Sequence, residues 1–410
     1  MRNKLLSIVG IGEDGWDGLG LDARQTIEAA EVLIGGARHL SLVPPTSAER
    51  IPWPSPMLPL VDHIASHYRD RKVVVLASGD PMLHGVGSVF ARRLSSALPT
   101  PHSLDFHVIP QVSAFSLACA RLGWPCAEVT LLSAVNRPLE EMHVHVHAAQ
   151  RLIIYSQDGA TPRAIAKLLV ERGYGPSAMT IFEHLGGPRE ARRDGIAASW
   201  NSEYAADLNL VAVMCIAESG TRALGCVPGL PDEAFESDGQ LTKRDVRAAT
   251  LARLAPAPGE LLWDVGAGSG SVGIEWMRTD PSCRAISFEH DAERVRRIRR
   301  NAQRLGVPGL RVVAGSAPSA FTGVDRPDAV FIGGGIASEG LVQACWEALS
   351  SGGRLVANAV TIEGEVILVN QHEVLGGELV RIAVSRAEPI GSMLAWRPMM
   401  PITQWAICKP

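Results

Sequence analysis

One stretch restricts the fold more than any other. The apolar run Leu261-Leu262-Trp263-Asp264-Val265 passes directly into Gly266-Ala267-Gly268-Ser269-Gly270, and helix-like sequence starts at Ser271. A buried strand that ends in closely spaced glycines and then a helix is the βα corner of a parallel sheet. The glycines let the backbone turn sharply and approach a ligand, and the helix start offers N–H groups that lack partners. The dinucleotide-binding fingerprint is GxGxxG. Here the spacing is GxGxG, with Ser271 where the third glycine would stand, so a nicotinamide cofactor fits poorly.

The same rhythm runs through the rest of the chain. Short apolar runs alternate with amphipathic, helix-length segments, which implies parallel sheets with helices on their faces. Strands are predicted at 5–10, 73–77, 106–109, 129–132, 152–155, 179–182 and 208–214, and helices at 23–30, 87–98, 114–122 and 162–171. Met1 to Lys4 followed by apolar residues looks superficially like a signal peptide, but glycines and then Glu13, Asp14 and Asp17 interrupt the run. It reads as a first buried strand. The rhythm stops over 218–239, which is rich in Gly, Pro, Ser and acids and reads as a linker. It restarts with strands at 261–265, 285–289, 311–313, 329–332 and 354–359, then 379–384 and 404–408.

With 410 residues, two or more domains are expected. A formal net charge of −4 gives no general attraction to nucleic acid. No apolar run reaches membrane-spanning length. The seven cysteines are scattered without a CxxC pair, so neither a disulfide framework nor a zinc site is suggested, and a cytoplasmic setting is expected. His143-Val144-His145-Val146-His147 would put its imidazoles on one face if it were a strand. It has no acid or cysteine cluster at ligand spacing, and no metal is expected. The arginines at 294, 296, 297, 299, 300 and 304 fall opposite an apolar stripe of Val295, Ile298, Ala302 and Leu305, and so belong to a solvated face.

In the C-terminal part, four strand-end elements form a candidate site: the turn Gly266, Ala267, Gly268, Ser269 and Gly270; Glu289, placed to bind both hydroxyls of a ribose; Ala317, in Gly315-Ser316-Ala317-Pro318; and Gly333-Gly334-Gly335 after a fourth strand. Asp291 is read as the cap of the next helix. Ligands of open parallel sheets bind beyond the carboxyl ends of the strands, and this combination points to S-adenosylmethionine (SAM). In the N-terminal part, Gly79-Asp80-Pro81 ends a buried strand, after an opening loop Gly10-Ile11-Gly12-Glu13. It is followed by Pro110-Gln111-Val112-Ser113-Ala114, then Tyr155-Ser156-Gln157 and Glu183-His184-Leu185-Gly186. His84 and His184 stand beside these motifs, where they could touch substrate or simply pack.

That N-terminal succession resembles the tetrapyrrole methylase family over roughly residues 1–215. The resemblance implies SAM held in a cleft between two α/β lobes, lined by Gly79, Asp80, Leu83, Ser113, Ala114 and Tyr155. Gln111 departs from the family, where glycine often follows the proline, and this puts the local backbone path in question. From about Gln240 onward, with Leu241-Thr242-Lys243-Arg244-Asp245-Val246-Arg247, the glycine turn, the acid and Ala317-Pro318, the chain resembles the decarboxylating precorrin methyltransferase domain, and Thr242 joins the SAM residues. The two modules in this order resemble a bifunctional family of cobalamin biosynthesis.

The expected architecture is α/β. A two-lobed tetrapyrrole methylase domain (1–217) and a linker (218–239) precede a doubly wound, Rossmann-like class I SAM-dependent methyltransferase domain (240–410). The resemblance implies one SAM per domain and a tetrapyrrole substrate methylated at C5 by the first module. The second would methylate C15 and remove the C12 acetate carboxyl as CO2. A homo-oligomer without nucleic-acid or membrane partners is expected. Methyl transfer from an activated donor needs mainly alignment and exclusion of water, so the catalytic residues stay unassigned. The substrate's carboxylate arms call for cations, with Lys243, Arg244, Arg247, Arg381, Arg386 and Arg397 as candidates. The enzymatic alternative is an RNA methyltransferase. The non-enzymatic one is a binding or regulatory protein with one inactive module, which the intact glycine turn and Gly79-Asp80-Pro81 argue against.

Overall fold

The computed structural model describes residues 6–68, 70–94, 106–201 and 204–410. Residues 1–5, and the predicted helical residues 95–98, lie outside them. The chain forms two compact units, one of Met1–Leu139 with His147–Thr221, the other of Glu140–Val146 with Arg222–Pro410.

The first unit has two sheets. Strands β1 (Leu6–Ile11), β2 (Val32–Gly35), β3 (Glu49–Pro52), β4 (Val73–Ser78) and β5 (Phe106–Ile109) form a sheet of order β3-β2-β4-β1-β5. All its pairings are parallel. β1 is buried along its whole length and β4 nearly so, because apolar clusters cover both faces. Strands β6 (Val129–Ser133), β7 (Arg151–Tyr155), β8 (Ala178–Glu183), β9 (Ala191–Ile196) and β10 (Asn209–Met214) form the second sheet, of order β6-β7-β10-β8-β9. It is mixed: β6 and β7 are parallel, and the remaining pairs antiparallel.

The second unit is built on strands β11 (Leu261–Val265), β12 (Arg284–Glu289), β13 (Arg311–Ala314), β14 (Ala329–Ile332), β15 (Arg354–Ala359) and β16 (Glu378–Ile382), a hairpin of β17 (Ser385–Ile390) with β18 (Met393–Pro398), and β19 (Ile402–Cys408). The seven-stranded sheet has the order β13-β12-β11-β14-β15-β19-β16. It is parallel from β13 to β15, and β19 runs antiparallel to both its neighbours. The order reverses between β11 and β14, the switch point at which doubly wound sheets open a ligand crevice. Large apolar clusters cover both faces.

Two expectations change. The stretch 218–239 is no free linker from Arg222 onward: Leu230 and Phe235 are buried in the second unit's core, and Glu236 and Asp238 pair with the arginine-rich helix Ala292–Arg304. Those arginines do lie opposite the apolar stripe, as read, but most are neutralised by carboxylates. The triple-histidine segment is no strand. It overlaps a 3-10 helix, Leu139–Val144, where alternate residues do not share a face. Among the described residues, no group of three or more His, Cys, Asp or Glu could hold a metal ion.

Candidate functional site

In the first unit the end of β1 and the loops after β4 and β5 meet backbone to backbone. A Cβ at Gly10 would stand 1.9 Å from the Gly79 carbonyl oxygen and 2.7 Å from the Gln111 nitrogen. The Gly79 N–H donates to the Ile11 carbonyl (3.0 Å), and the Gly79 carbonyl accepts from Gln111 N–H (3.1 Å). Gln111 is not among the residues of positive φ, so the backbone path here does not require glycine. The Asp80 carboxylate accepts from Met82 N–H (2.8 Å), and Leu83 N–H donates to the Asp80 carbonyl (3.1 Å). Ser113 caps the helix Ala114–Leu122 by accepting from Ser116 N–H.

The Tyr155 hydroxyl accepts from Phe115 N–H (3.2 Å), tying the second sheet to that helix start. Burial pushes the Tyr155 pKa up, so the hydroxyl stays protonated. Tyr155→Phe orphans a helix-terminal N–H, and about 1 kcal/mol of the first unit's stability is expected to be lost; urea denaturation measures it. The structure thus joins Gly79, Asp80, Ser113, Ala114 and Tyr155, with Leu83 on the same loop. His84 lies next to Leu83, with its ring edge-on to Tyr155 at 6.3 Å between centroids. Burial and then Arg137 lower its pKa.

In the second unit, Gly266, Gly268 and Gly270 all adopt left-handed φ values, of 68°, 59° and 76°. Ala267 N–H and Gly266 N–H both donate to the Phe288 carbonyl. The Glu289 carboxylate is buried and already engaged. One oxygen accepts from Gly268 N–H (2.9 Å), the other from His290 N–H (3.0 Å) and Asp291 N–H (3.1 Å). Glu289 therefore also fastens the glycine turn to the end of β12. Asp291 caps the next helix, as read from the sequence. Gly315 N–H donates to the Glu289 carbonyl (3.0 Å), which brings the Ala317 loop alongside. Gly268 faces the Gln240 carbonyl, where a Cβ would sit at 2.9 Å, so the segment leading to Thr242 borders the turn.

Arg247 is not a ligand arm. It is fully buried and bonded to Glu275, to Asp232 and to the carbonyls of Thr242 and Leu230. Arg381 pairs with Glu365, Arg386 with Asp245 and Arg397 with Glu388. These three pairs are exposed and weak, so an incoming carboxylate can compete for the cation. Lys243 and Arg244 make no ion pair among the described residues.

Asp264, beneath the turn, is buried. Its Oδ2 accepts from Gly273 N–H (3.0 Å) and the Ser287 hydroxyl (3.4 Å). Burial raises its pKa from 3.8 to about 7, and the nearby Glu289 adds to the rise. The folded state thus holds a proton that the unfolded chain has released, and stability falls as pH rises from about 4 to about 7. Asp264→Asn is expected to flatten that slope, which is at most about 1.4 kcal/mol per pH unit. Denaturation of both proteins across this range tests it; equal slopes would refute the buried-acid account.

Residues 5–198 match the family model described as Tetrapyrrole (Corrin/Porphyrin) Methylases, and residues 233–409 match the Precorrin methyltransferase domain. A precorrin-6Y C(5,15)-methyltransferase (decarboxylating) from Sinorhizobium sp is 48% identical over 405 residues, 98% of this chain and 96% of that protein. The chain belongs to the precorrin-6Y C(5,15)-methyltransferase (decarboxylating) family. A second member, from Mycobacterium tuberculosis (strain ATCC 25618 / H37Rv), is 44% identical over 99% of this chain and 100% of its own. Among solved structures, the C-terminal domain of precorrin-6Y C5,15-methyltransferase from Rhodobacter capsulatus is 47% identical, with a TM-score of 0.43, over 45% of this chain and all of that domain. The chain is thus a methyltransferase, and its family implies SAM as the methyl donor.

The residues present fit that donor. The buried Asp264 Oδ1 and Ser269 Oγ lack hydrogen-bond partners, and they stand at a turn whose close approach admits no Cβ. A buried carboxyl and a hydroxyl left without partners, at a turn of closely approaching backbone, suit a polar ligand with an amino-acid end and ribose hydroxyls.

Proposed function

We propose that the chain methylates a precorrin at C5 and C15 and removes the C12 acetate carboxyl as CO2, in cobalamin biosynthesis. The first unit serves C5, and the second serves C15 and the decarboxylation. The observation that carries this reading is the full-length similarity to relatives of that name, which spans both strand-end sites. An RNA methyltransferase draws no support from these relatives.

Each unit would hold one SAM, in the first at Gly79, Asp80, Leu83, Ser113, Ala114 and Tyr155. In the second the residues are Thr242, Gly266, Ala267, Gly268, Ser269, Gly270, Glu289 and Ala317. When bound, SAM supplies an activated methyl group on a sulfonium. The chain's own part is to hold that group in line with a nucleophilic ring carbon and to exclude water. For the decarboxylation, the conjugated ring accepts the electron pair, and the protein orients and desolvates the carboxylate. Lys243, Arg244 and the re-pairable Arg381, Arg386 and Arg397 are the cations available to the acidic arms.

Mass spectrometry of the full chain with SAM and a precorrin tests the reading. Two methyl groups gained and one CO2 lost are expected; methyl incorporation into tRNA or rRNA instead would overturn it. Among the described residues no helix is long and apolar enough to cross a membrane, and all seven cysteines are free. Both fit the proposal of a cytoplasmic enzyme. A homo-oligomer that binds no nucleic acid is part of the same proposal, and sedimentation checks it.

A further inference from the structure

Beside the first unit's SAM residues, the loops after β1 and β8 carry a polar network with no assigned role. His184 follows β8 directly and holds a φ of 47°, a left-handed conformation that costs a residue with a Cβ. Its N–H is committed to the Leu208 carbonyl (3.1 Å). Its Nδ1 lies 3.3 Å from Glu13 Oε2. A carboxylate only accepts, so Nδ1 carries the proton and the Nε2 lone pair is left over.

Glu13 is fixed on its other side by the Arg38 guanidinium. It is also fixed by close packing, since a Cβ at Gly187 would meet the Glu13 Cβ at 2.6 Å. Arg38 also donates to Ser78 Oγ (2.8 Å), the last residue of β4 before Gly79. Of the other charges on these loops, Arg189 and Asp14 make no ion pair among the described residues, and two carboxylates are committed. Glu183 is held by Arg193 and by Ala206 N–H, and Glu190 by Arg121 and Gly186 N–H. His39 is a poor rival base. Its Nε2 already faces Arg38 (2.9 Å) and Ser78 (2.8 Å), and burial, with Arg38, lowers its pKa to about 4.

We propose that His184 is the proton acceptor for the methylation carried out by the first unit, with Glu13 as its positioning residue. This rests on reading that unit as the C5 methylase. When an enamine-like carbon takes a methyl group, the new C–C bond forms from the π pair, and the C–S bond breaks with its pair kept by sulfur. The conjugated substrate nitrogen is left positively charged, and its N–H proton passes to Nε2 of His184, restoring a neutral ring. A strained imidazole oriented by a carboxylate is suited to that transfer.

The test uses the full chain, with C15 methylation and CO2 loss as internal reference. In His184→Asn the imidazole is gone, but asparagine tolerates the left-handed backbone; His184→Gly removes the strain altogether. Both are expected to lower kcat for C5 methylation about 10²–10³-fold. Total SAM binding and the C15 reaction should be unchanged, and the acidic limb of the C5 pH–rate profile should disappear. Glu13→Gln should lower the C5 rate by less. Undiminished C5 methylation in both His184 variants, or an acidic limb that persists without the imidazole, overturns the inference alone. A wild-type chain that leaves C5 unmethylated overturns it together with the reading beneath it.

Discussion

Gly266→Ala is expected to abolish SAM binding in the second unit, and with it C15 methylation and CO2 loss, while C5 methylation continues. Gly266 holds a φ of 68°, which costs an L-residue roughly 1–2 kcal/mol. The larger effect is steric. A Cβ there would lie 2.7 Å from the Cα, N and O of Gly334. These are backbone atoms of the loop after β14, so no side chain can swing aside. Neither strand end can retreat, because Gly266 N–H bonds to Phe288 and Gly333 N–H to Val265. The methyl group must therefore force apart the switch-point crevice. Gly259→Ala is the control: its φ is 85°, but nothing lies within 4 Å of the added Cβ. It bears the strain of the conformation without the clash, and SAM binding should survive. Calorimetry with SAM, alongside mass spectrometry of the product, separates the outcomes. Two SAM sites retained in Gly266→Ala would show that the turn is not a binding element.

That turn was legible because everything it needs is local. β11 runs over the predicted Leu261–Val265, since an apolar run flanked by turn glycines has one reading when the strand is buried on both faces. Elements whose stability comes from distant partners were not legible. β2, β3 and the helices Ala37–Ser41 and Leu58–His67 lie in short, proline-punctuated sequence without clear periodicity. The hairpin β17–β18 leaves Ile390, Met393, Leu394 and Trp396 exposed, so it shows no alternation of buried and solvent faces. The network of Glu13, Arg38, His39, Ser78 and His184 joins four segments far apart in the chain. The sequence set out Gly10-Ile11-Gly12-Glu13 and Glu183-His184-Leu185-Gly186 as separate motifs, and nothing in it joined them to Arg38, His39 or Ser78. Arg247 was misread for the same reason. A basic residue before a glycine turn resembles a ligand arm until its partner, Glu275, is found 28 positions away on another helix.

Arg247→Ala is accordingly expected to destabilise the second unit by about 3–5 kcal/mol, because it leaves a buried carboxylate without its cation. The Glu275 side chain is 2% exposed, and the Arg247 side chain is 0% exposed. Glu275 also accepts from Gly229 N–H (2.6 Å) and Leu230 N–H (3.0 Å). Arg247 adds Asp232 (3.2 Å), two carbonyls and the Phe235 ring, 4.8 Å from its guanidinium carbon. One arginine thus clips residues 229–242 onto the helices Arg244–Leu254 and Ser271–Thr279, holding the Thr242 carbonyl two residues from Gln240, whose carbonyl faces Gly268. Its loss should lower the second unit's melting temperature and weaken SAM binding there. It should leave C5 methylation intact, since that site lies in the other unit. Adding Glu275→Gln to Arg247→Ala removes the stranded charge but keeps an acceptor for the Gly229 or Leu230 N–H, so part of the lost stability should return. Scanning calorimetry of the single and double variants decides the matter. A double variant no more stable than Arg247→Ala would mean that lost packing of the arginine stem, and not the unpaired carboxylate, sets the cost.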